Sequence, residues 1–242
     1  MNYLTKIGAI TACMLLLGAC GSSNDDDDDT VTDAEFEVRL TNLTNLTNGQ
    51  TLSPVAVMMH KSGFNSFIDG EASSLALELL AEGGDNTDVL GEVQAATQHV
   101  ASASTAGAVG PGVISPAVTL TVPNDDLGDL QLSVISMLVV TNDAFTGLNA
   151  TDISNMQTGE SRTFNGPTWD SGTEANSETA ATIPALAGEG FNPVRNDLFD
   201  RVRFHQGVVT NASPEFGLAT SALTETHRFL NPSSRIVVTR TQ

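Results

Sequence analysis

The sequence predicts an antiparallel β-sandwich with one or two short helices in its connections. The chain is rich in Thr, Ser, Asn, Gly and β-branched residues, only 5% of it is aromatic, and its apolar residues come in short alternating runs. That is the mixture expected of strands joined by turns.

The elements follow in chain order. "MNYLTKIGAITACMLLLGACGSS" carries one early charge at Lys6 and then a short apolar run, far below the ~20 residues of a spanning helix. It reads as an export signal over residues 1–19. "LLGAC" matches the bacterial lipobox, with cleavage before Cys20 and diacylglycerol on its sulfur. Cys13 leaves with the signal, so the mature chain keeps no free thiol. Gly21, where an aspartate would signal retention, points to an outer-membrane lipoprotein facing the periplasm or the cell surface. Its lipid is its link to the membrane. Residues 20–34 contain five consecutive aspartates, Asp25 to Asp29, and form an extended acidic tether.

Residues 35–242 then suit one large β domain. Lys6 is the only charge before Cys20, so cleavage moves the formal net charge from −19 to −20. An anionic surface of that size excludes nucleic acid as a partner. An envelope or extracellular protein, or a glycan, fits better.

"FEVRLTN" (Phe36 to Asn42) alternates apolar and polar residues, so one face is buried. "TNLTNLTNG" continues it as strand end and turn. "VAVMMH" (55–60), "AVTLTV" (117–122), "LQLSVISMLVV" (130–140), "RVRFHQ" (201–206) and "RIVVTRT" (235–241) also read as strands. "TVPNDDLGDLQLSV" reads as a long hairpin turning at Asn124–Gly128. "SLALELLAEGG" is helical, capped by Ser74 and ended by Gly83 and Gly84, with Leu75, Leu79 and Leu80 on one face.

Together "LSPVAVMMH", "LALELLAEGGD", "SVISMLVVTNDAFTGLN", "WDSGTEANSE", "FHQGVV" and "RIVVTR" resemble, in this order, bacterial proteins carrying a spondin N-terminal domain. The resemblance spans about Phe36 to Gln242. It implies a Greek-key sandwich similar to calcium-dependent phospholipid-binding domains, a role in extracellular adhesion or recognition, and one calcium ion. "VTNDAF" and "WDSGTE" stand where the family has its two acidic motifs, which implies Asp143, Asp170 and Glu174 as metal ligands. Asp143 and Asp170 are 27 positions apart.

Calcium takes six to eight oxygens at about 2.3–2.6 Å. Loops at one end of a sandwich can aim Asp143 and Asp170 at a common point, with carbonyls from Ser171, Gly172 and Thr173 and with Trp169 as a packing anchor. The plainer reading is that both aspartates cap turns through nearby amides. The family's further acid falls near Thr121, which has no carboxylate; Asp125, Asp126 and Asp129 are substitutes. A site short of one acid binds calcium at ~10⁻⁴–10⁻³ M.

Catalysis is not expected. Paired carboxylates beside a tryptophan suit a glycoside hydrolase, but aromatics for a sugar cleft are sparse. The chain has no Gly-x-Ser-x-Gly or His-Glu-x-x-His motif. His60, His99, His205 and His227 stand singly. The remaining alternative is a metal-free structural envelope lipoprotein.

Overall fold

A computed structural model describes residues 32–212 and 218–242. The export signal, Cys20 and the aspartate run lie outside the described residues. The strands are β1 (Ala34–Asn42), β2 (Ala56–Lys61), β3 (His99–Ser104), β4 (Val118–Val122), β5 (Leu130–Met137), β6 (Ala144–Asp152), β7 (Ser161–Gly166), β8 (Thr168–Asp170), β9 (Arg203–Phe204) and β10 (Ser234–Arg240). Two helices, α1 (Leu75–Gly83) and α2 (Thr87–Ala95), follow β2.

All pairings are antiparallel and form two sheets, ordered β4-β1-β10-β7 and β3-β2-β5-β6-β8-β9. The fold class read from the sequence is the observed one, an all-β sandwich with two short helices. Phe36, Val38, Leu40, Ile236 and Val238 of the smaller sheet meet Val57, Met59, Leu132 and Val134 of the larger in one core.

The larger sheet is covered on its other face too. There Met58, Ile135, Met137 and Phe145 pack against Leu77, Leu80, Val89 and Val93 of the helices. This explains a difference in pattern: β1 alternates because its outer face is wet, whereas β2 and β5 are buried at almost every position.

Four expectations are corrected. The stretch from Thr121 to Val134 is no hairpin, because β4 belongs to the smaller sheet and β5 to the larger. The chain crosses between layers there, through a 3-10 turn at Asn124–Asp126. The strand from Leu130 stops at Met137, and Thr141 to Asp143 form bends before β6. Of "RVRFHQ" only Arg203 and Phe204 are strand, at a sheet edge.

The fourth correction concerns α1. Ser74 accepts a bond from the Leu77 N–H and Gly84 closes the helix in the left-handed conformation, φ 72°, as those residue types dictate. The buried face, however, is Ala76, Leu77, Leu80 and Ala81, while Leu75 is 60% exposed. Glu78 and Glu82 are buried on this helix as well. Glu78 is held by Arg195 at 2.6 Å.

Candidate functional site

β6 and β8 pair with Ala144 opposite Asp170. That register sets the residue before β6, Asp143, beside the residue after β8, Ser171. The Ser171 N–H donates to the Asp143 carbonyl at 3.2 Å. Asp143 and Asp170 therefore arrive at the same end of the larger sheet, and both are buried.

One oxygen of Asp143 is fully engaged. Its Oδ2 accepts from the Ser171 hydroxyl at 2.8 Å, the Thr173 N–H at 2.9 Å and the Glu174 N–H at 3.1 Å. Oδ1 is buried and has no donor. Asp170 accepts the Gly172 N–H on Oδ1 at 2.9 Å. Its Oδ2 takes the Asn176 amide at 2.8 Å and Arg203 at 2.9 Å. Gly172 is required here: its φ is 75°, and a Cβ would strike the backbone of Arg201.

The three predicted ligands thus take different places. Asp143 and Asp170 share one loop cluster. Glu174 adjoins Asp143 but contributes its N–H there, while its carboxylate meets the charge of Glu82. Thr121 is exposed on β4. Asp126 pairs with Lys61 at 3.4 Å and Asp129 accepts from Ser62, so these acids brace the layer crossover.

Trp169 is a packing anchor, stacked on Phe204 at 4.3 Å and tilted against Phe67 at 5.2 Å. His60 bonds Ser133 and the Lys61 carbonyl. His205 accepts from the Gly207 N–H, and burial pushes its imidazole down to about 4. His99 and His227 bond Ser102 and Thr224, respectively.

Several site residues were not singled out in the sequence. Arg203 looked like one residue of a strand, yet it binds Asp170 and Asp197 together. Glu82 was lost in a helix; its Oε2 accepts the Asn192 N–H and its Oε1 has no donor. Asn176 and Glu178 follow the predicted motif as "TEANSE", and that acid spacing was the available signal.

Electrostatically this end of the molecule is overloaded with negative charge. Burial pushes Asp143 up to about 7, with the Asp170 charge acting in the same direction. Burial and then Glu82 push Glu174 up to about 8. Burial pushes Glu178 up to about 7, against the pull of the Val209 N–H. Asp170 is also raised by burial, although Asn176 and Arg203 oppose it. Buried carboxylates left this way take up either protons or a cation. Among the described residues, no three His, Cys, Asp or Glu side chains already form a metal-ligand group.

The chain is a two-sheet antiparallel sandwich that gathers polar loops at one end. Residues 44–193 match the Spondin_N family, more than half of the 242-residue chain, and the chain belongs to that family. It is a family of extracellular binding and recognition domains, not of enzymes. Among curated proteins, none matches the chain.

Proposed function

We propose that this protein is a lipid-anchored extracytoplasmic recognition module in which one weakly bound calcium ion stiffens the loops after β5 and β8. The observation that supports this best is Asp143. Its Oδ1 is buried without a donor, in a cluster where Asp170 raises the cost of its charge. A carboxylate oxygen in that state suits a hard cation, and an oxygen-only donor set suits calcium over softer metals. Asp143 and Asp170 would hold the ion, which would neutralise both. The chain's part is to present the carboxylates from a rigid register.

The second reading, a metal-free structural envelope lipoprotein, draws on the capping role of Asp143 Oδ2 and on the Arg203 bridge to Asp170. Thermal melting with calcium and with excess chelator separates the two, because a ligand of the native state stabilises it by RT ln(1 + [L]/Kd). Terbium adds a spectroscopic check, since Trp169 is the sole tryptophan and can sensitise its emission. An unchanged Tm at millimolar calcium, with no sensitised terbium signal, would reject the calcium site. The anchor is tested by Cys20→Ala, which should move the protein from membrane to soluble fractions; unchanged fractionation rejects it.

A further inference from the structure

We infer that the end of the sandwich where β1 stops, an uncharged surface crowned by leucines, is where a second copy of this chain docks head to head. The inference does not depend on the calcium reading.

The surface starts at the "TNLTNLTNG" run, whose polar side chains turn inward. Asn42 Nδ2 donates to the carbonyls of Gln50 at 2.7 Å and Val109 at 2.9 Å, and Asn42 Oδ1 accepts the Thr44 N–H at 3.0 Å and its hydroxyl at 2.7 Å. Gln50 is buried too, and its amide clasps both the N–H and the carbonyl of Val140. Asn45 donates to the carbonyls of Thr226 and Arg228. These bonds satisfy the loop from within and leave its leucines outside, Leu46 being 81% exposed. Folded loops ordinarily do the reverse.

Leu43, Leu46, Val113, Ile114 and Leu230 make the crown, all of them exposed. The Asn42 N–H donates to the Val113 carbonyl at 3.0 Å, and Leu46 leans over Gly112, where a Cβ would strike it. Leu43 and Leu230 line one cavity of about 540 Å³ together with Phe229 and Pro232. Leu230 is 88% exposed at that cavity. Aliphatic side chains gathered in this way mark a contact surface.

Charge decides the occupant. Between Arg39 and Lys61, and again between Glu92 and Asp125, the sequence has no Asp, Glu, Lys or Arg; these stretches supply every crown residue but Leu230. In a chain of formal net charge −19, two copies meeting elsewhere set acid against acid, which is costly. At the crown that repulsion is absent. Arg228, which lines the cavity, is paired with Glu225 at 2.7 Å, and across a two-fold axis each acid can exchange to the other copy's base, so the surface complements itself. A cationic partner would require acids, a glycan an open aromatic face, and an anionic bilayer unpaired bases. Among the described residues the crown offers none of these, since Phe229 is buried.

The test is sedimentation velocity from micromolar to near-millimolar concentration on the chain from Gly21 onward, which keeps the whole compact unit Thr32–Gln242. Leu46→Asp and Leu230→Asp place a charge in the crown, and Leu198→Asp, at a site 85% exposed elsewhere, is the control. All three sites are exposed, so circular dichroism should match the native sequence. The expected result is a monomer–dimer equilibrium in the native chain and in Leu198→Asp, weakened by about tenfold or more in both crown variants, where like charges now face each other. A native chain that stays monomeric throughout would overturn the inference, as would a dimer that survives both crown variants. Flotation with neutral phosphatidylcholine vesicles is the second arm: a monomer that floats with them and is released by Leu46→Asp would assign the crown to lipid and overturn self-docking.

Discussion

Arg203 and Asp170 form an ion pair at 2.9 Å in which the acid is buried, its side chain 1% exposed, and the base is 26% exposed. The same guanidinium holds Asp197 with two further bonds of 2.9 and 3.0 Å. One cation thus links β8 to the loop before β9.

Replacing it is predicted to be costly. Arg203→Met leaves Asp170 buried without its cation, and breaking a buried pair from one side costs about 3 kcal/mol. Urea denaturation should show that loss. With calcium in excess the loss should shrink, because the ion supplies the missing charge. An equal loss with and without calcium would separate Arg203 from the cation site.

The pH dependence of the metal-free protein has a definite sign. Asp143 and Glu178 titrate at about 7 and Glu174 at about 8 in the native state, all above their unfolded values, so the native state binds more protons. Their contribution is fully present below the unfolded values near 4 and is lost as pH rises through 7 to 8. His205, lowered to about 4, acts oppositely: its contribution is present above 6.5 and is lost as pH falls towards 4. Three acids outweigh one histidine, so chelated protein should melt lower at pH 8 than at pH 6. Calcium should raise Tm most at pH 8. A chelated protein more stable at pH 8 contradicts this.

The rotated face of α1 gives a third prediction. Leu77 is fully buried and Leu75 is 60% exposed. Leu77→Ala should cost about 2–5 kcal/mol through the cavity it opens, and Leu75→Ala within about 0.5 kcal/mol. Equal effects on denaturation would place the helix differently.

What the sequence revealed depended on whether its signal was local. Period-two alternation marked β1, β4 and β10 because one face of each is wet, and Ser74 and Gly84 marked the ends of α1 because capping acts within a turn. The β4–β5 crossover was misread because turn residues between two strand patterns look alike whether the strands pair or part. β8 and β9 are too short for any period, and only their register brings Asp143 to Asp170. The two aspartates were visible through motif spacing. Arg203, Asn176 and the bare oxygen of Glu82 were not, because a missing hydrogen-bond donor is a property of three-dimensional surroundings.

The pairing of β1 with β10 has a further consequence. Phe36 lies opposite Arg240, and β1 sits between β4 and β10 inside the smaller sheet. A chain emerging N-terminus first, from a ribosome or a translocation pore, presents β1 long before its second partner, β10, exists. Such distant pairing slows folding and prolongs exposure of sticky surface. One edge of β1 can pair with β4 midway along the chain, but the edge that takes β10 stays open until nearly the whole chain has passed.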